Sequence, residues 1–105
     1  MDPLTLLILT AVAQIVIDVV VQLLHLAFAR LAEWFVSRQA QVAGNPNRMA
    51  VTVAESLRSG DFAVVQGIFD QYTGNFVGQP RRVRAGSADP QVSWLHSGNR
   101  VAVWT

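Results

Sequence analysis

Asp18 and His25 lie inside an otherwise apolar stretch, AVAQIVIDVVVQLLHLAFAR (residues 11–30), together with Gln14 and Gln22. Such groups could make cross-helix hydrogen bonds, carry protons or ions, or bind a metal. The last is set aside because one His and one carboxylate seven residues apart are not a ligand set. Seven residues is two helical turns, so the two make no direct intrahelical pair either. Elsewhere Ser, His and Asp occur without a nucleophile elbow or an ordered spacing. SGD and TGN read as turns, and no phosphate-binding glycine loop is present. No catalytic, cofactor-binding or metal-binding residue is assigned, and the chain is not expected to be an enzyme.

On a helix, Gln14, Asp18, Gln22 and His25 fall within an arc of about 80°. Helical character continues through LAEWFVSRQAQVAG, predicting one long helix over residues 3–43, with Pro3 in its first turn and Gly44 before NPN as its stop. That helix would be about 60 Å long, twice the hydrocarbon thickness of a bilayer. Sixteen of the 25 residues from Leu4 to Phe28 are Leu, Ile, Val or Phe. At about −0.3 to −0.6 kcal/mol each they outweigh one central Asp at about +2.5 to +3.5. The start, MDPLT, lacks the basic region of a signal peptide, and the apolar run is too long for one. Arg30, Trp34 and Arg38 suit a membrane interface, and the positive-inside bias places the C-terminal part in the cytoplasm.

The polar arc then admits three readings. It could hydrogen-bond to a second copy or to helices of another membrane protein. It could line a pore with Asp18 and His25 as titrating groups. Or the helix could belong to a soluble helical or shell-like assembly.

The rest of the chain predicts a small module. Met49, Ala50, Val53, Ala54 and Leu57 recur with helical spacing, so residues 47–58 read as a short helix, since a strand would put Glu55 on the apolar face. Strands follow near 62–69 and 77–86, joined by the turn Thr73-Gly74-Asn75. Asp89 caps a two-turn helix with Pro90 at its first position, Val92, Trp94 and Leu95 within it and Gly98 at its end. A protonated His96 would be favoured at that helix's C-terminal end. Residues 100–105 form a last strand.

Composition narrows the partners. The 105 residues include no Cys, all eight basic residues are Arg, and the net charge is +1. That charge is too small for a nucleic-acid field, and no small-molecule substrate or cofactor is indicated. Arg81, Arg82 and Arg84 form RRVR, with Arg82 and Arg84 on one strand face, suited to anionic lipid or a partner. The expected fold class is therefore α+β: a long, membrane-spanning N-terminal helix (1–43) followed by a cytoplasmic α-β-β-α-β module with one antiparallel sheet (44–105). The expected function is a non-enzymatic single-pass scaffold that oligomerises or docks through its polar stripe. A small pore-former and a subunit of a soluble assembly are the alternatives.

Overall fold

The computed structural model describes residues 2–104. The first helix, α1 (Pro3–Gln14), starts where Asp2 accepts hydrogen bonds from the backbone N–H and the hydroxyl of Thr5, at 2.8 and 2.7 Å. It stops at Gln14 because the chain then enters IVIDVVV, in which six of seven residues are β-branched. Such side chains lose rotamer freedom in a helix and suit an extended backbone. Ile15 is already extended, and β1 follows at Val19–Leu26. After β1 come α2 (Phe28–Val36), the single turn α3 (Gln39–Val42), β2 (Arg48–Arg58), β3 (Asp61–Asp70), β4 (Asn75–Ala88), α4 (Pro90–Leu95) and β5 (Val101–Trp104).

The long helix expected over 3–43 is thus two helices, a strand and a helical turn. A bilayer span needs about 20 helical residues, and α1 has 12. Among the described residues no helix is long and apolar enough to cross a membrane. The single-pass anchor, and the cytoplasmic placement that rested on it, are overturned.

One five-stranded sheet has the order β1-β4-β3-β2-β5. β1 runs parallel to β4, and the other neighbours are antiparallel. The sheet is therefore mixed, where a purely antiparallel one was expected, and it crosses the expected boundary between residues 43 and 44. The strands expected at 62–69 and 77–86 lie within β3 and β4. Residues 47–58, expected to be helical, are almost entirely β2.

Helices cover both faces of the sheet, so a central strand shows no apolar–polar alternation. Ile8 and Ala11 of α1 pack with Val51, Val53, Val65 and Phe69 on one face. Leu31 of α2 and Val92 of α4 pack with Leu26, Val64, Val83 and Ala85 on the other. Glu55 stays on the α1 face but is exposed there, at the point where the β2–β3 register shifts between Ala54 and Ser56. Its carboxylate then takes both the Nε and Nη2 protons of Arg82, at 2.6 and 3.0 Å.

Phe69 and Phe76 meet edge to face across β3–β4, with ring centroids 5.5 Å apart. Gly67 makes room for that pair: a Cβ there would lie 2.7 Å from the Phe76 ring and 3.0 Å from Pro80. Gly67→Ala is expected to destabilise the fold by about 1–3 kcal/mol through overpacking. Gly86→Ala, where a Cβ meets nothing within 4 Å, should stay within about 0.5 kcal/mol of wild type. Urea denaturation of the two variants checks the contrast.

Candidate functional site

The structure disperses the predicted polar stripe. Gln14 ends α1, Asp18 sits in the link to β1, and Gln22 and His25 lie on β1 itself, all four exposed. Along an extended backbone the 100° periodicity that aligned them has no meaning. Two other clusters form instead, each joining residues far apart in sequence.

The first gathers around His25, paired in register with Ser87. His25 Nδ1 is 2.8 Å from Ser87 Oγ, and Nε2 is 2.7 Å from Asp89 Oδ1. A carboxylate only accepts, so Nε2 carries the proton. In the neutral ring the Ser87 hydroxyl donates to Nδ1. In the imidazolium Nδ1 donates to Ser87, whose proton can turn to the Leu24 carbonyl, 3.3 Å away. Both protonation states are therefore satisfied.

Asp89 precedes α4 in sequence, yet its carboxylate makes no bond to that helix. Its second oxygen accepts from Phe28 N–H, at 2.8 Å, and so caps α2, whose own N-cap residue is Ala27. Alanine cannot cap a helix, and a negative charge at this end also matches the helix dipole. The His25 bond first, and the Phe28 N–H second, hold the Asp89 carboxyl below the ordinary carboxylate range. Serine, imidazole and carboxylate thus form a row with triad-like connectivity. The apolar hollow beside it, about 280 Å³, is lined by Pro90, Gln91 and Trp94, and includes neither Ser87 nor His25. As built, the row is a clip joining the end of β1 to β4 and to the first turn of α2.

The second cluster regroups the predicted arginines. β4 alternates its side chains, so Arg82 and Arg84 leave on the α1 face, as expected of a shared strand face. There Arg82 meets Glu55, and Arg84 lies 3.6 Å from Asp61. Arg81 leaves on the other face, opposite Gln66. Gln66 is fully buried: its Nε2 donates to the Leu31 carbonyl at 2.7 Å, and its Oε1 accepts from Arg81 Nε at 2.8 Å. Arg81 is held in this way beside Trp34, 5.4 Å from the ring centroid, while Arg38 lies over the same ring at 3.9 Å. Partial burial, then the positive charges of Arg38 and Arg30, push the Arg81 guanidinium below its ordinary pKa. Among the described residues no carboxylate comes within 4 Å of Arg30, Arg38 or Arg81. The three residues expected at a membrane interface, Arg30, Trp34 and Arg38, therefore join Arg81 in a basic, aromatic patch formed by α2, the turn after it and β4.

Gln66 and Ser87 were not singled out from the sequence, and Glu55 was weighed only as an obstacle to a strand, not as a partner of Arg82. Gln66 had a legible signal, because a lone amide within FAVVQGIF must find a buried partner. Ser87 and Asp89 are two apart at a strand end, but nothing local linked them to His25.

His96 is buried in a complete relay. Trp104 Nε1–H donates to Thr52 Oγ1 at 3.0 Å, Thr52 donates to His96 Nε2 at 2.9 Å, and Nδ1–H donates to the Asn99 carbonyl at 3.2 Å. Protonation would turn Thr52 Oγ1 into an acceptor from both Trp104 and His96 and take from its own hydrogen the acceptor it had in Nε2. Burial accordingly pushes the His96 imidazole down, opposite to the expectation from the helix end. Comparison with known protein families, with curated proteins and with solved structures finds no match.

These two groups predict a stability profile with two acid limbs. His96 binds fewer protons folded than unfolded, so stability falls as pH drops below the unfolded imidazole value of about 6.5. Asp89, depressed in the fold, contributes fully above about pH 4, and that contribution is lost as pH falls through its lower folded value. Chemical denaturation across pH should show His96→Gln flattening the upper limb and Asp89→Asn flattening the lower. Asp89→Asn should also be the less stable protein at pH 7.

Proposed function

We propose that this protein is a non-catalytic assembly subunit that joins a second copy of itself along β1. One observation carries the reading: the edge strand β1 has eight residues, VVVQLLHL, and none of the features that discourage edge pairing. It has no Pro, no Lys or Arg and no register shift against β4. Its surroundings are apolar as well, with Val16 83%, Val20 51% and Leu24 96% exposed. The opposite edge, β5, has only four residues.

Charge selects the orientation. Parallel pairing would set the two Asp18 carboxylates side by side, whereas antiparallel pairing carries each Asp18 to the other copy's His25 end. A two-fold axis normal to the sheet meets that requirement and keeps each face continuous. The contact uses the same strand from both copies, so it closes as a dimer rather than growing a filament. A net charge of +1 per chain opposes it little.

Light scattering on size-fractionated protein should give twice the chain mass. Val20→Lys, at an exposed position, should give the chain mass with an unchanged circular dichroism spectrum. A wild-type protein that remains monomeric at micromolar concentration, or a Val20→Lys protein that remains dimeric, would falsify the proposal.

A further inference from the structure

Beside the basic patch, α2, α3, β2 and β5 enclose an open groove of about 330 Å³, lined mainly by Ala32, Phe35, Val36, Val42, Ala50 and Trp104. That volume is at the low end of the range of about 300–1,000 Å³ for small-molecule sites. Patch and groove are physically continuous. Trp34, under Arg38 and Arg81, meets Phe35 edge to face at 5.5 Å, and Phe35 meets Trp104 at 5.0 Å. A row of rings therefore leads from the guanidiniums of Arg38 and Arg81, which meet no carboxylate within 4 Å among the described residues, into a trough whose walls are mostly carbon. We propose that patch and groove form one binding site for a free, single-chain amphiphilic anion. Its oxyanion head would be held by Arg38 and Arg81, and its alkyl chain would lie in the groove.

Three features support this occupant over others. Guanidinium forks match planar carboxylates and tetrahedral phosphates, with which they form charge-assisted pairs. Arg81 is preorganised for that role, because Gln66 takes its Nε and leaves both terminal nitrogens for a ligand. Arg38 is braced as well: its Nη1 donates to Ser37 Oγ at 2.9 Å, and Ser37 donates to the Trp34 carbonyl at 2.6 Å. A nucleic-acid base would need the face of Trp34 for stacking, and Arg38 already covers it. An inorganic anion would use the arginines and leave the groove empty, and a neutral alkane would do the reverse. Only a molecule with both parts satisfies both. The site does not use β1, so it stands independently of the proposed dimer.

Tryptophan fluorescence and calorimetry with dodecanoate, below its micelle concentration, test the site. Saturable binding at one ligand per chain is expected, with dodecanol and inorganic phosphate at least tenfold weaker. Arg38→Gln should weaken dodecanoate about tenfold or more, the order expected from losing one charge-assisted hydrogen bond. Val36→Asp, at a position 69% exposed, should weaken it comparably by placing a like charge on the groove wall. Both substitutions are at the surface, and an unchanged thermal transition would show that the fold persists. Equal affinity for dodecanoate and dodecanol overturns the proposal, as do variants that bind like wild type. Arg38-dependent binding to anionic phosphatidylserine vesicles without dodecanoate binding would assign the patch to a membrane surface and overturn it too.

Discussion

The parallel pairing of β1 with β4 is the constraint from which the rest of the structure follows. It turns residues 19–26 from a continuation of α1 into the edge of a sheet, across 62 positions of sequence from Val19 to Arg81. Once β1 is there, α1 must lie on one face of the sheet and α2 on the other. Each helix brings an apolar side to a sheet that would otherwise expose it. The pairing is secured where it ends: His25 bonds to Ser87 and Asp89, Leu24 offers its carbonyl to Ser87, and Leu26 O accepts from Asp89 N–H at 2.9 Å. Asp89 therefore serves a strand end and a helix start together.

Charge is sorted by the same sheet. Alternation along β4 sends Arg82 and Arg84 to carboxylates on the α1 face and Arg81 to the α2 face. Arg48 and Arg58 also find partners, Asp70 at 3.4 Å and Asp61 at 3.5 Å. The exposed pairs, Arg58 and Arg84 with Asp61, contribute little, about 0–1 kcal/mol each, so that pairing matters mainly for what it leaves over. Among the described residues Arg30, Arg38, Arg81 and Arg100 have no carboxylate within 4 Å, and the first three gather beside α2, where Gln66 ties the helix backbone and Arg81 to the middle of the sheet. Leaving a buried amide unpaired would cost more than a hydrogen bond contributes, so this link fixes the helix as well as the guanidinium.

The apolar excess of the N-terminal half is divided rather than uniformly buried. Ile8, Ala11 and Leu26 are in the core, while Leu6, Val16, Val20 and Leu24 stay outside. Single exposed apolar residues need no explanation, but three of these lie on or just before one unprotected edge strand. Such an arrangement makes sense when the strand has a partner. The groove beside α2 is a separate apolar surface, distinguished by the charge next to it.

What the sequence determined by itself is local. The Asp2–Pro3 start of α1, the Thr73-Gly74-Asn75 turn and the start of α4 at Pro90 depend on residues within a few positions of one another, although the Asp89 carboxylate caps α2 and not α4. Gly74 takes a φ of +73°, a left-handed backbone that glycine adopts without steric cost. The hairpin strands were legible for the same reason. Residues 19–26 and 48–58 were not, because apolar spacing reports burial and not backbone conformation. β2 is covered on both faces and loses the alternation that marks a strand. β1 shows apolar side chains even on its outward side and so imitates a continuous helix. Only the tertiary structure could decide that β1 lies beside β4, that His25 meets Asp89 and that Arg81 joins Arg38, since each depends on contacts between residues more than 40 positions apart.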